Sequence, residues 1–407
     1  MKLSFRIVLL MLALSARAFA CPAGTIPAQW EDLSRFLSRD EAALLPAEGN
    51  DFEIMDNGAR KWELLLQDIR QARKTIYMEY YRWANDDAGR QIYDAVMEKI
   101  NEGLDVRLLI EDIANPFYRL DFYWKLREAG AQLIFFTDTE RHQLWEALPG
   151  INIRDHRKIV VIDGQLGYVG GMNLADHYLH SWRDTHVRVK GPAVAALNKL
   201  FCDMWIARGG SAQGLYAPQP EPLPEGGGSA VQFATTGGGD TLLLEAVCRI
   251  LDSAREYVYF QNPYFCPPDC LLEALYNAAG RGVDVRIVVP QESDMAFMTL
   301  ANQSFFEDCL AAGVRIFEYT PRFNHSKVIL ADGNLSIVGS LNLDARSLNT
   351  NHEVVAAIYG PDAARTLGTQ FQELFSQSKE VSLEDLSAWT TRDRNARRFW
   401  RRHRSLL

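Results

Sequence analysis

Apolar residues along this chain fall into short continuous runs, separated by segments with helical periodicity. Residues 103–110 and 282–289 each begin with glycine and continue as an apolar run, which predicts a strand buried on both faces. Residues 90–100 and 271–279 fit helices between such strands. Alternating strands and helices are typical of α/β proteins, so we expect mixed sheets flanked by helices.

The same pattern occurs twice in the 407 residues. Residues 72–78 match residues 254–260, and residues 129–135 match 312–317. A repeat of this extent predicts two similar lobes related by a pseudo-twofold axis around a single site. The expected segments are a signal peptide, an N-terminal lobe, a linker rich in proline and glycine, a C-terminal lobe and a basic aromatic tail, with bounds 1–20, 21–215, 216–230, 231–385 and 386–407.

The N-terminus has the features of a secretory signal. Lys2 and Arg6 precede an apolar run at 7–14, and Ala18-Phe19-Ala20 gives a small-x-small cleavage pattern. The run is shorter than the roughly 20 apolar residues that a membrane span requires. We therefore expect cleavage and export, with a retained anchor or a lipid-modified Cys21 as alternatives.

Six cysteines would remain after cleavage. An exported protein can form disulfides, and Cys266 and Cys270 lie close enough in sequence to pair. Free thiols are the alternative, because a core of this size needs no covalent cross-links.

Charge is distributed unevenly. The formal net charge is −9, and it becomes −12 without the three basic residues of the signal segment. The tail from Trp389 carries seven arginines and one aspartate, which leaves −18 for the body. Such a body disfavours nucleic acid as a partner. The tail suits an anionic membrane surface, with Phe399 and Trp400 at the headgroup level, or it is a solvated terminus.

One motif, His-x-Lys-x4-Asp-x6-Gly-(Gly/Ser)-x-Asn, occurs in both halves, and chance does not explain two copies. The first copy consists of His156, Lys158, Asp163, Gly170, Gly171 and Asn173, and the second of His325, Lys327, Asp332, Gly339, Ser340 and Asn342.

Each motif leads into a strand, so histidine and lysine two residues apart project from one face. Two lobes facing each other would then place two imidazoles and two ammonium groups around one phosphodiester. The lysines can stabilise charge on the phosphorus oxygens without a metal or a cofactor. One histidine can attack phosphorus to give a phosphohistidine, while the other protonates the leaving alkoxide and deprotonates the incoming alcohol.

Two carboxylates lie at matched spacing from these histidines. Asp184 follows His156 by 28 residues and Glu353 follows His325 by 28, so we expect each carboxylate to orient the imidazole of its own copy. Asp163 and Asp332 complete the candidate catalytic set, although their position favours a role in the turn after the strand.

The remaining motif residues are candidates for substrate binding. Gly170, Gly171, Gly339 and Ser340 would allow the backbone to approach phosphate closely, and Asn173 and Asn342 would bind phosphate or hold the loop. Ordinary structural roles are expected for the other histidines, which are His142, His177, His180, His186 and His352.

The doubled motif resembles that of the phospholipase D superfamily over residues 72–357. Stretches such as Asp155-His-Arg-Lys-Ile-Val-Val-Ile-Asp-Gly, Asn262-Pro-Tyr-Phe and Gly339-Ser-Leu-Asn-Leu-Asp-Ala-Arg-Ser are similar to bacterial cardiolipin synthases. The resemblance implies transfer of a phosphatidyl group between two phosphatidylglycerol molecules, which releases glycerol. It also implies that His156 is the nucleophile and His325 the general acid and base. Many such synthases begin with two membrane-spanning helices, whereas this chain begins with a signal-like segment.

Three other functions share these residues. A secreted phospholipase D would use water as the acceptor and release phosphatidic acid. The acidic body argues against a nuclease, and intact histidines and lysines argue against an inactive lipid-binding module. If exported, the protein would be periplasmic or peripheral on the membrane.

Overall fold

The computed structural model describes residues 25–39, 41–115, 119–137, 153–216 and 228–404. The predicted signal segment, Cys21, His142 and most of the predicted linker lie outside these residues. The strands are β1 Ala47–Met55, β2 Thr75–Tyr80, β3 Asp105–Ile110, β4 Gln132–Phe135, β5 Lys158–Ile162, β6 Leu166–Gly170, β7 His186–Lys190, β8 Ser229–Thr236, β9 Tyr257–Gln261, β10 Phe265–Cys266, β11 Asp284–Pro290, β12 Arg315–Tyr319, β13 Val328–Ala331, β14 Leu335–Gly339, β15 Leu343–Asp344, β16 Glu353–Tyr359 and β17 Ser378–Glu380.

Helices cover both faces of the sheet. The α-helices are α1 Glu31–Ser38, α2 Gly58–Gln71, α3 Asp87–Asn101, α4 Trp124–Glu128, α5 Asp176–His180, α6 Val194–Ala207, α7 Leu242–Ser253, α8 Asp269–Gly280, α9 Ala296–Gln303, α10 Phe306–Ala311, α11 Ala345–Asn349, α12 Pro361–Ser376, α13 Leu383–Ser387 and α14 Thr391–Arg402. Short 3-10 helices cover Ala28–Trp30 and Ala42–Leu44, and a π-helical turn covers Arg119–Tyr123.

Fifteen of the strands form one mixed sheet that runs through both halves. Its order is β17-β12-β11-β9-β13-β14-β16-β8-β1-β7-β6-β5-β2-β3-β4. Read outward from the β8–β1 junction, β7-β6-β5-β2-β3-β4 matches β16-β14-β13-β9-β11-β12 strand for strand. The predicted α/β class and two-lobe repeat are confirmed, and the lobes share one continuous sheet.

Equivalent contacts repeat at equivalent positions. The Tyr77 hydroxyl donates to Asp105 over 3.1 Å, and the Tyr259 hydroxyl donates to Asp284 over 3.2 Å. These residues belong to the segments that the sequence matched, so the duplication extends to individual side chains.

Apolar side chains of both halves meet in one core cluster. Val187 and Phe201 from the first half pack in the same cluster as Val354 and Phe371 from the second. Burial of such side chains stabilises by about 1.5–3 kcal/mol each. A shared core of this kind holds the two lobes in a fixed relative position.

The first described helix packs on the half opposite to its place in the sequence. Trp30, Leu33 and Leu37 lie in one buried cluster with Val247 and Leu251 of α7. The N-terminal lobe was expected to begin at residue 21, whereas these residues pack on the C-terminal lobe. The apolar face of α1 is buried on the C-terminal lobe because α7 presents an apolar surface there.

The described cysteines, Cys202, Cys248, Cys266, Cys270 and Cys309, are all free thiols. Cys266 is buried beside Asn302, whereas Cys270 is exposed at the start of α8. The Cys266–Cys270 pairing that the sequence allowed is therefore not formed.

The basic tail forms a helix docked on the C-terminal lobe. Trp400 of α14 stacks on Phe297 with ring centroids 5.0 Å apart, and Arg401 pairs with Asp308 at 2.5 Å. The Trp400 side chain therefore packs against the protein, whereas it was expected to lie at the level of the lipid headgroups. The outward face of α14 consists of the exposed residues Thr391, Arg392, Asn395, Arg398, Phe399 and Arg402.

Within the described ranges, we find no helix whose length and apolar content would let it span a bilayer.

Candidate active site

Each motif ends in a tight hairpin turn. Asp163 and Asp332 follow β5 and β13 and have positive φ angles of 52° and 47°. The next residue is glycine in both cases, and two consecutive positive φ values are typical of a type I′ hairpin turn. The two aspartates form this turn at the end of the strand farther from the histidines.

The Asp163 carboxylate accepts hydrogen bonds from the backbone N–H groups of Arg73, Lys74 and Thr75 over 2.7–2.9 Å. Asp332 does the same for Arg255, Glu256 and Tyr257 at the start of β9, over 2.8–2.9 Å. Neither aspartate lines the cavity described below. Their inclusion in the catalytic set was therefore wrong, and the alternative role in the turn is the one observed.

Backbone hydrogen bonds between the halves hold the histidine segments. The His156 N–H donates to the carbonyl of His352 over 2.9 Å, and the His325 N–H donates to the carbonyl of Arg183 over 2.7 Å. Each histidine segment therefore lies beside the segment that precedes the carboxylate of the other half.

The histidine–carboxylate pairs consequently cross between the halves. Nδ1 of His156 lies 3.0 Å from Oε1 of Glu353, and Nδ1 of His325 lies 2.6 Å from Oδ2 of Asp184. The expectation that each copy is self-contained was wrong, because the pseudo-twofold axis passes between the two motifs. Both carboxylates that the matched spacing singled out do contact a motif histidine. With Nδ1 engaged in both rings, Nε2 is the nitrogen available to a substrate.

The small residues of the motif make room for these carboxylates. A Cβ on Gly171 would lie 2.2 Å from Oδ1 of Asp184, and Ser340 at the equivalent position donates its hydroxyl to Glu353. A Cβ atom on Gly170 or on Gly339 would likewise clash with the adjacent strand. The four positions serve packing within the protein, in place of the close approach to phosphate that was expected.

Both motif lysines are buried beneath the histidines. Lys158 and Lys327 each donate from Nζ to the backbone carbonyl of the histidine two residues earlier. Burial lowers the pKa of Lys158 to about 7 and that of Lys327 to about 8. A bound anion would favour the charged ammonium in each case.

Burial also favours neutral imidazoles. It lowers the pKa of His156, with Glu353 opposing the shift, and it lowers the pKa of His325 well below its usual value, where Lys327 adds to the effect. A neutral imidazole whose Nδ1–H is held by a carboxylate presents a free electron pair on Nε2. This is the form required of a nucleophile or a general base.

The two halves differ behind the histidines. Arg157 is buried between Glu79 and Asp155, and its Nε lies 3.1 Å from Oδ1 of Asp155. The equivalent positions in the second half are the neutral residues Ser326, Gln261 and Asn324. The sequence analysis missed this buried ion cluster, although alignment of the two repeats shows charged residues in the first half where the second half has neutral ones.

One cavity of about 380 Å³ lies against both histidines. The rings of Tyr178 and Trp182 lie 5.4 and 5.3 Å from that of His325, and Tyr81 lies 5.0 Å from His156. Sequence reasoning missed these aromatic side chains because tyrosine and tryptophan usually fill cores. Further lining residues without an earlier assignment are Arg82, Arg154, Tyr264, Asp294, Met295, Phe297, Met298, Asp344, Arg346, Ser347 and Asn351.

Three further residues that the sequence analysis discussed, Asn173, Asn342 and His177, line the cavity. Asn173 lines the cavity but is engaged by the Arg82 N–H and the Tyr178 hydroxyl, which corresponds to holding the loop. Asn342 also lines the cavity, and its Oδ1 is buried without a hydrogen-bond partner among the described residues. His177 lines the cavity, and burial lowers its pKa, so the structural role assigned to it was incomplete.

Comparison with known proteins places this sequence in a family. A family model described as cardiolipin synthase, PLD-like domain, matches residues 65–205 and 247–375. The chain belongs to this family of phospholipase D-like proteins. The resemblance predicted from the doubled motif is thereby confirmed.

Curated relatives agree with this assignment. Cardiolipin synthase 1 of Staphylococcus epidermidis is 35% identical over 366 residues, which cover 87% of this chain and 73% of the relative. The major cardiolipin synthase ClsA of Bacillus subtilis is 34% identical over 348 residues, covering 83% and 71%.

Solved structures show the same fold at low sequence identity. Phosphatidylserine synthase of Haemophilus influenzae superposes with a TM-score of 0.67 at 16% identity, over 93% of this chain and all of that one. Polyphosphate kinase of Porphyromonas gingivalis gives a TM-score of 0.54 at 13% identity, over 97% of this chain and 59% of that one.

Proposed function

We propose that this protein is a phosphatidyltransferase that converts two phosphatidylglycerol molecules into cardiolipin and glycerol. The observation that carries this proposal is the crossed arrangement of His156 with Glu353 and His325 with Asp184 around one cavity. Family membership and the names of the curated relatives support the substrate class.

The first half-reaction forms a bond between His156 Nε2 and phosphorus. The bond from phosphorus to the glycerol oxygen breaks, and that oxygen takes a proton from Nε2 of His325, which must be protonated when the substrate is bound. The assignment of His156 as the nucleophile rests on the family resemblance. Glu353 stabilises the positive charge that develops on the attacking ring.

The second half-reaction reverses these steps with another acceptor. His325 removes a proton from a glycerol hydroxyl of the second phosphatidylglycerol, and the resulting alkoxide attacks the phosphohistidine. The phosphorus–nitrogen bond breaks, and His156 returns to its neutral form. Lys158 and Lys327 stabilise the equatorial oxygens in both steps.

The choice between a lipid alcohol and water depends on access to the phosphohistidine. Tyr81, Tyr178, Trp182 and Tyr264 surround the histidines with aromatic surface, which supports transfer over hydrolysis by limiting water. The test is incubation of purified protein with vesicles of labelled phosphatidylglycerol. Cardiolipin with stoichiometric glycerol is expected, whereas phosphatidic acid as the main product would favour a secreted phospholipase D.

Access to lipid also requires contact with a membrane surface. We assign this role to the outward face of α14, where Phe399 is 54% exposed beside Arg398 and Arg402. The expected export of the chain stays part of the proposal and is supported by the N-terminal signal pattern.

A further inference from the structure

Three arginines, Arg82, Arg154 and Arg346, line the same cavity as the histidines. Arg82 follows Tyr81 in the chain, and Arg154 lies two residues before His156. The Arg346 carbonyl accepts from the Asn351 N–H, one residue before His352, whose carbonyl holds the His156 N–H. The ring of Tyr81 lies against His156, and Nζ of Lys158 lies 5.2 Å from the centre of the same ring. The three guanidinium groups therefore lie on the His156 side of the cavity.

Arg154 has hydrogen-bonding capacity that the protein does not use. Its Nη1 is buried and has no hydrogen-bond partner among the described residues. Arg154 lies two residues before His156, and its backbone carbonyl accepts a hydrogen bond from the His352 N–H over 2.8 Å. This bond fixes the backbone of Arg154 beside His156. A buried guanidinium N–H without an acceptor is costly, so an anionic ligand is the natural partner.

Two amide oxygens next to this cationic wall are also unused. Oδ1 of Asn342 and Oδ1 of Asn351 are buried without a partner in the described part of the chain, and both residues line the cavity. An amide oxygen accepts hydrogen bonds, so these two positions suit hydroxyl groups of a ligand. Together the wall offers cations for a phosphate and acceptors for a polyol.

The other half has no counterpart of the arginines in this wall. Alignment of the repeats puts Phe323 at the position of Arg154, His177 at that of Arg346 and Trp182 at that of Asn351. Phe323 and Trp182 both lie against the ring of His325. The cavity is thus cationic beside His156 and aromatic beside His325, although the reacting groups themselves are symmetric.

The reacting phosphodiester carries one negative charge, and the two motif lysines, buried beneath the histidines, already supply positive charge on its side of the site. We propose that Arg154, with Arg82 and Arg346, binds the second phosphodiester, which belongs to the acceptor lipid and does not react. Asn342 and Asn351 would hold the glycerol of that acceptor. The inference rests on the proposed function and deepens it, because it makes an anionic phospholipid with a glycerol headgroup the preferred acceptor.

The test compares two acceptors in one reaction. Vesicles of phosphatidylglycerol are incubated with labelled free glycerol, and both cardiolipin and newly labelled phosphatidylglycerol are measured. Free glycerol carries no phosphate, so its incorporation does not use the arginine wall. For Arg154→Gln, the ratio of cardiolipin to labelled phosphatidylglycerol should fall roughly 10- to 100-fold, the loss expected for one charge-assisted hydrogen bond.

Arg127→Gln is the matched control, because Arg127 is exposed and does not line the cavity. Its product ratio should equal that of the wild type. Thermal unfolding of both variants checks the fold, and Arg154→Lys should recover part of the ratio. An unchanged ratio in Arg154→Gln would overturn the inference, as would equal losses of both products. Wild-type protein that incorporates glycerol but forms no cardiolipin would instead overturn the proposed function.

Discussion

Oε1 of Glu353 lies 3.0 Å from Nδ1 of His156, although the two residues belong to different halves of the chain. Asp184 makes the reciprocal contact with His325. Each histidine is therefore oriented by a carboxylate from the other repeat.

This exchange predicts different defects for the two carboxylates. Glu353→Gln should impair nucleophilic attack by His156, and Asp184→Asn should impair proton transfer by His325, each by roughly 10²–10⁴-fold with the natural lipid. A phosphatidyl ester of p-nitrophenol separates them, because its leaving group needs no proton. Asp184→Asn should still release a burst of p-nitrophenol and Glu353→Gln should not. The opposite pattern would reverse the roles assigned to the histidines.

The two histidines can be tested by direct replacement. His156→Ala and His325→Ala should each remove nearly all cardiolipin formation while thermal unfolding stays close to that of the wild type. Protein from reactions with the p-nitrophenyl ester, quenched in alkaline detergent because the phosphorus–nitrogen bond is acid-labile, should contain phosphohistidine in His325→Ala but not in His156→Ala. Normal turnover in either variant would contradict a single shared site.

The sequence predicted the strands of each repeat and singled out the two motif histidines, because both depend on local patterns. Alternation of apolar runs located the strands, and the duplicated motif located His156 and His325. It could not predict which carboxylate faces which histidine, because that depends on how the two halves dock. It also missed Arg154 and Trp182, whose meaning comes only from their position beside the cavity.

The lysines make substrate affinity dependent on pH. The pKa of Lys158 is lowered to about 7 and that of Lys327 to about 8, and only the protonated forms attract the phosphodiester. Affinity is therefore full below both values and decreases as the pH rises through them. KM for phosphatidylglycerol should increase by up to about tenfold per pH unit for each lysine above its pKa. A KM that stays constant from pH 6.5 to 9 would refute this.

The motif aspartates should affect stability more than chemistry. Asp163→Ala removes an acceptor of three backbone N–H groups and places alanine at a positive φ, which should cost about 1–3 kcal/mol in the free energy of unfolding. Asp163→Asn should cost less, because asparagine tolerates this conformation and can still accept hydrogen bonds. Urea unfolding measures the difference. The turnover of the folded fraction should remain near that of the wild type, and a loss comparable to that of His156→Ala would restore a chemical role.

The outward face of α14 should control binding to vesicles. Arg398→Glu combined with Arg402→Glu should weaken sedimentation with vesicles of phosphatidylglycerol, by about 1 kcal/mol for each arginine lost near the surface. Reversal of both Arg365 of α12 and Arg35 of α1, which are exposed arginines away from α14, is the control with the same net charge. Equal binding of the double variant and the wild type would exclude this face as the contact.

The crossed pairs have the form of an isologous interface, in which every contact between two residues occurs a second time between their symmetry equivalents. Here His156 contacts Glu353, and their equivalents His325 and Asp184 make the same contact. Such reciprocity is the mark of a symmetric dimer whose two subunits have become one polypeptide. Neither half alone would hold its imidazole in a productive tautomer, so activity belongs to their association. Within one chain the two copies can differ in sequence, as at the equivalent positions Arg157 and Ser326. A symmetric arrangement of reacting groups can therefore bind two substrates in different ways.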